Sequence, residues 1–210
     1  MSTFSLRLDA ADLRHAAKFA SKEPSRPALH GVLVETTGVI VATNGHVLMA
    51  IEPRERAESP RDVVLLFEQK IPNWVRTVTI DVPTDTTHGV MLAAYRGTNG
   101  KKAHAAVEDV HVPYPAWRQV MSPSVGKWTT DARTPTLAAK YIALFSTEGH
   151  GGVRLFAQDK NNGVLLVRTN EPRYVGILMP MREFDDMRAT ETILPPLVMG
   201  STAPALQVAA

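Results

Sequence analysis

A chain of 210 residues with 44% apolar composition is long enough and apolar enough to bury a core of domain size, which excludes a low-complexity or disordered protein. The absence of cysteine excludes disulfides and cysteine-ligated metals and fits a reducing cytoplasm. A net charge of +2, from 23 basic and 21 acidic residues spread along the chain, does not by itself mark a nucleic-acid binder, so any DNA contact must rest on where the charges sit. No stretch reaches the roughly 18 apolar residues of a membrane helix, and Met1 to Leu8 lack a basic start followed by an apolar run, so neither a membrane span nor secretion is expected.

Phe4, Leu6 and Leu8 alternate with polar residues and predict a half-buried strand, after which Asp9 offers a helix N-cap and Asp12 an acidic first turn. The spacing predicts a helix over about Ala10 to Ser21. Leu13, Ala17 and Ala20 form its apolar face; Arg14, Lys18 and Lys22 recur on another face, with His15 beside them. Pro24 and Pro27 close it. Val32 to Val34, Val39 to Ala42 and Val47 to Ile51 then predict strands, with Asn44-Gly45 as a tight turn.

A second set follows in similar order. Val63 to Phe67 and the alternating Val78, Ile80 and Val82 predict strands on either side of a short helix over Gln69 to Arg76, which Pro72 interrupts. Val90 to Tyr95 and Ala103 to Val107 predict a hairpin around Gly97, Asn99 and Gly100. In a third set, Thr134 as cap and Pro135 at the first position predict a helix to Ser146 with Leu137, Tyr141, Leu144 and Phe145 as its stripe. Val153 to Phe156, Val164 to Val167 and Tyr174 to Met179 predict three more strands, and the proline-containing segment Ile193 to Ala210 has no period. Connections too short for parallel crossovers make this an α+β fold of about three repeated helix-plus-antiparallel-sheet units.

Three patterns, in this order, resemble the sliding clamp that forms the beta subunit of bacterial DNA polymerase III. Val41-Ala42-Thr43-Asn44-Gly45-His46-Val47-Leu48 is similar to the family's strand and Thr-Asp-Gly-His-Arg-Leu turn. Tyr114-Pro115-Ala116-Trp117-Arg118-Gln119-Val120-Met121 is similar to its linker between middle and last domains, and Tyr174 to Arg182, ending Met179-Pro180-Met181-Arg182, to its final strand. The resemblance implies a DNA-clamp-like fold in which 1–120 form a complete domain of two units, 121–185 half a domain, and 186–210 a flexible tail. A family protomer has three domains of two units each, so this chain is a shortened form.

The same resemblance implies a non-enzymatic processivity factor that binds double-stranded DNA without sequence preference. It also implies a pocket for polymerase and clamp-loader peptides, no cofactor, and assembly into a homo-oligomer; by arithmetic, four chains would supply the units of a dimeric clamp. The DNA-contact candidates are Arg14, His15, Lys18, Lys22 and Lys140, with a solvated amphipathic face as the equally open reading. The pocket positions carried over are Thr43, Gly45, His46, Val47, Leu48, Pro115, Gln119, Val120, Ile177, Met179, Pro180, Met181 and Arg182. Val47 and Gln119 stand where the family usually has arginine, which implies a weaker polar rim. Methionine suits an adaptable pocket, though buried core is its ordinary role.

Catalysis has no comparable support. His150-Gly151-Gly152 lacks a Gly-x-Ser-x-Gly elbow, and His104, Asp109 and His111 lack tight ligand spacing, so neither a nucleophilic site nor a metal site is expected. The alternative function is a clamp mimic that binds clamp-interacting peptides without encircling DNA.

Overall fold

The computed structural model describes residues 3–54, 59–84, 89–121, 128–129, 137–146, 152–158 and 163–181. β1 (Thr3–Asp9) leads into α1 (Ala10–Ala17), followed by β2 (Val32–Val34), β3 (Ile40–Thr43) and β4 (Val47–Ile51). Next come β5 (Val63–Phe67), β6 (Thr77–Pro83), β7 (Val90–Arg96), β8 (Lys102–Asp109), α2 (Trp117–Met121) and β9 (Trp128–Thr129). α3 (Ala139–Ile142) runs into a 3-10 turn at Ala143–Phe145, before β10 (Val153–Gln158), β11 (Leu165–Thr169) and β12 (Tyr174–Leu178). One compact unit ends at Pro180 and a second spans Met181 to Ala210, of which only Met181 is described, so the expected tail lies outside the described residues.

The described strands form one sheet in the order β1-β6-β7-β8-β5-β2-β3-β4-β12-β11-β10-β9. Every pairing is antiparallel. β1 pairs with β6, setting Leu6 opposite Ile80, and β5 pairs with β2, setting Val64 opposite Leu33. β1 thus joins the second strand set, β5 bridges the two by pairing with β2 and with β8 of its own set, and β9 pairs with β10 of its own set. β12 joins the first set to the third by pairing with β4, so that Leu48 faces Ile177 and Met49 faces Gly176.

The alternation of side chains then builds two apolar layers. Leu6, Val34, Ile40, Ala42, Met49, Ile51, Val63, Leu65, Val78, Ile80 and Val167 pack with Leu13, Ala16 and Phe19 in the main core. Leu33, Val41, Leu48, Ala50, Val64 and Ile177 form a second cluster, capped by Trp117. Strands buried on both faces read as continuous apolar runs, which is why β4 is Val-Leu-Met-Ala-Ile with every residue buried.

Asp9 caps α1 as expected, its carboxylate accepting from the backbone N–H of Ala11 at 2.7 Å and of Asp12 at 3.3 Å. The helix nevertheless stops at Ala17, short of Ser21. Its buried residues include Leu13 and Ala16, and beyond its end Phe19 is buried, while Ala17 is exposed. Phe19 stays on the buried side of the helix, three residues after Ala16 and four after His15, and its ring meets Phe145 edge-on at 4.9 Å.

The helix expected over Gln69 to Arg76 is absent; the segment is a turn closed by Val75 N–H to the Pro72 carbonyl at 3.0 Å. Pro72 has no N–H to give a helix, and the Arg14 guanidinium donates at 3.0 Å to the carbonyls of both Pro72 and Val75 instead. In the third set, Ala139–Ile142 and the 3-10 turn replace most of the expected helix, and Thr134 and Pro135 lie outside the described residues. Leu137, Tyr141 and Leu144 pack half-buried against the core and Phe145 is buried. The strands fall within a residue or two of expectation; α2 lies where only a linker was expected, and β9 where no strand was.

Candidate functional site

The β3–β4 turn is fixed by its own side chains. Asn44 Oδ1 accepts from the backbone N–H of His46 at 2.9 Å and of Val47 at 3.1 Å, and Gly45 has φ +89°, a left-handed value that disfavours other residues. Thr43 Oγ1 donates to the Val47 carbonyl at 2.7 Å and accepts from Gly45 N–H at 3.1 Å. Beyond β12, Met179 N–H donates to the His46 carbonyl at 2.9 Å, which extends the β4 ladder past Leu178 and lays Met179 beside the turn.

The linker crosses the same face. Trp117 packs on Leu33, Val41, Leu48 and Ile177, and its indole N–H donates to Glu35 Oε1 at 2.9 Å. Arg118 grips the same carboxylate with two nitrogens, Nη2 to Oε2 at 2.6 Å, while its guanidinium lies 4.3 Å from the Trp117 ring centre. The Arg118 pKa is raised, chiefly by that hydrogen bond to Glu35. Burial raises the pKa of the Tyr114 hydroxyl on the same segment.

Thr43, Gly45, His46, Val47, Leu48, Pro115, Val120, Ile177 and Met179 therefore line one apolar pocket of about 150 Å³, together with Leu29, Ala116 and Trp117. The last three were not singled out from sequence. Leu29 enters on a 3-10 turn whose Pro27 start is legible, but its approach to residues 43–48 is not. Gln119 points to solvent, Pro180 is half-buried and not part of the lining, Met181 is exposed in the second unit, and Arg182 lies outside the described residues. At the rim the His46 ring stacks on Tyr141 with 5.6 Å between centroids, and Lys140 Nζ lies 4.8 Å from that tyrosine ring.

The DNA-contact candidates divide. Lys18, Lys22 and Lys140 are exposed. Arg14 is half-buried and tied to the turn carbonyls, so its face is not the free basic stripe expected. His15 leaves the set altogether: it is 5% exposed and stacks on Tyr174 at 5.0 Å. Its pKa is pushed down from 6.5 to about 4, first by burial and then by Lys18, with Asp12 acting in the opposite sense.

A base whose pKa falls on folding is protonated first in the unfolded chain. Stability is therefore present above the unfolded pKa and lost as pH drops from about 6.5 toward about 4. The full loss is on the order of 3 kcal/mol at 1.36 kcal/mol per pKa unit. Urea titrations at pH 7 and 4.5 are expected to show most of that loss in the wild type and a flatter pH dependence in His15→Phe; the same dependence in both would remove His15 as the cause.

Beside His15, Asp12 is 2% exposed and accepts from Arg173 at 2.8 and 3.1 Å and from the Tyr174 hydroxyl at 2.8 Å. Burial and the Asp12 hydrogen bond raise the Tyr174 pKa, and Asp12 raises that of Arg173. The cluster ties α1 to the start of β12. Among the described residues no group of three acidic, histidine or cysteine side chains could hold a metal ion, and no helix is long and apolar enough to cross a membrane.

An α+β sheet of antiparallel strands in repeated sets, with one short helix after the leading strand of the first set and another after that of the third, defines a DNA-clamp-like fold. Solved structures with this fold include DNA polymerase III subunit beta from Borrelia burgdorferi, at 12% identity and a TM-score of 0.54 over 87% of this chain and 65% of that one. The Thermotoga maritima beta subunit matches at 14% identity and 0.54 over 88% and 67%, and the Pseudomonas aeruginosa one at 16% and 0.52 over 85% and 66%. This chain thus spans about two thirds of those proteins' length. No family model and no curated protein matches the sequence.

Proposed function

We propose that this chain is a shortened, clamp-like processivity factor of DNA replication, without catalytic activity of its own, that takes polymerase and clamp-loader peptides in the 43–48/115–120/177–179 pocket. In this reading residues 1–120 form a two-unit domain, 121–185 half of a second, and Lys18, Lys22 and Lys140 give weak, salt-sensitive contact with double-stranded DNA in the cytoplasm. One observation carries the reading: three segments far apart in sequence converge on a single apolar pocket. An apolar depression with few polar groups suits a short peptide anchored by apolar side chains.

Met179 is 42% exposed, so Met179→Asp places a charge in the pocket at little cost to the core. It is expected to weaken a fluorescein-labelled, polymerase-derived clamp-binding peptide by at least about tenfold in anisotropy titrations. Unchanged affinity would remove the pocket assignment.

The second reading, a mimic that binds such peptides without encircling DNA, is favoured by the loss of Arg14 and His15 from the exposed basic face and by the turn that replaces a helix at 69–76. Light scattering over a concentration series, with circular and linearised DNA and a clamp loader, separates the two. A multimer such as a tetramer, retained on circles and released on linearisation, is a working clamp; a monomer that ignores DNA is the mimic.

A further inference from the structure

We infer that Glu35 is a positioning residue for the peptide pocket: it fixes the linker wall from 82 residues away without lining the pocket, an inference that rests on the peptide reading above. Glu35 sits just past β2 with 7% exposure, in a turn closed by its N–H to the Val39 carbonyl at 2.9 Å and by Gly38 N–H to its own carbonyl at 2.8 Å. Its backbone is therefore anchored to the sheet.

Its carboxylate reaches up to α2, accepting the Trp117 indole N–H at 2.9 Å and both Arg118 Nη groups. α2 has five residues, too few to hold a helix on its own. Yet Pro115, Ala116, Trp117 and Val120, on or next to that helix, make one side of the pocket. Arg118, with a side chain 58% exposed, closes the arrangement from outside by stacking on the Trp117 ring at 4.3 Å. The tryptophan is thereby held at its edge by a hydrogen bond and on its face by a cation.

On the other side of the linker lies a wider groove of about 650 Å³, bordered by Leu33, Val64 and the same Pro115, Ala116 and Trp117. Among the described contacts on that side, the Glu35 tie is the charged one that reaches the linker, and losing it leaves the apolar packing of Trp117 alone to hold the wall against Leu48 and Ile177. A wall that must be ordered at each binding event lowers affinity, whereas a preformed one does not.

The test measures anisotropy with the same labelled peptide on the full chain, using Glu35→Gln, Arg118→Gln and the double variant, with Met179→Asp as the pocket control. Glu35→Gln keeps an acceptor for Trp117 and removes the charge that holds Arg118. Each single variant is expected to weaken binding by about three- to tenfold, and the double variant by no more than the worse single one, because both break one tie. Active-site titration distinguishes positioning from folding: a structural defect lowers the number of binding sites, whereas a misplaced wall raises Kd with the number of sites unchanged. Wild-type Kd in both single variants while Met179→Asp loses binding would overturn the Glu35 inference and leave the pocket standing. Unchanged Kd in all of them, or multiplicative losses in the double variant, would overturn it too, the first by removing the pocket itself.

Discussion

Asp12→Ala is expected to lower the unfolding free energy by about 3–5 kcal/mol, the range for breaking a buried ion pair by removing one partner. The change leaves the Arg173 guanidinium, with a side chain 16% exposed, and the Tyr174 hydroxyl without the carboxylate between them. Arg173 keeps the Glu52 carbonyl at 2.7 Å and the Glu171 carboxylate at 3.1 Å, so a positive charge stays partly buried with half its acceptors gone. Urea denaturation at pH 7 reads the loss directly. Asp12→Asn keeps an acceptor and loses the charge, so it is expected to fall between wild type and alanine; an alanine variant within about 1 kcal/mol of wild type would show that the cluster is solvated rather than buried.

Phe145→Ala is expected to cost a similar amount, about 3–5 kcal/mol, since the ring is 1% exposed and truncation leaves a cavity against Phe19 and β12. The same ring explains why β12 carries a glycine at its centre. A Cβ on Gly176 would come within 2.1 Å of Phe145 Cε1 and 2.9 Å of Cδ1, so a methyl group there and the ring cannot coexist without movement. Gly176→Ala alone is expected to cost about 1–3 kcal/mol by overpacking. Combined with Phe145→Leu, which withdraws the ring edge, it should cost less than the sum of the two single changes. Strict additivity in thermal melts would mean that ring and strand are not in contact.

The strands were largely legible because their signals are local. Val78, Ile80 and Val82 alternate within one strand, and Asn44-Gly45 carries its own turn chemistry. Most of the failures involve partners that are distant in sequence. A helical wheel puts His15 beside Arg14, but the Tyr174 ring, about 160 residues later, stacks on it within the buried core. The helix over 69–76 lost to a turn whose carbonyls are satisfied by Arg14, some 60 residues earlier. Short motifs located residues 43–48, 115–120 and 177–179, yet not Leu29 or Glu35, since neither stands in a motif and each reaches the pocket or its wall only through the sheet. Gln119 rests on its position in the linker motif alone, and it is exposed and outside the pocket lining.

The placement of β12 also bears on how the chain emerges from a ribosome. β4 pairs with β3 on one side, four residues back along the chain, but its other edge waits for residues 174–178, more than 120 residues later. During that interval Val47 to Ile51 present an apolar strand with a row of unsatisfied amides and carbonyls, the kind of edge that recruits other chains. Nascent-chain survival should therefore depend on a holding chaperone or on dilution until β12 has left the exit tunnel, and stalled products ending near residue 170 are expected to be the most aggregation-prone of a truncation series.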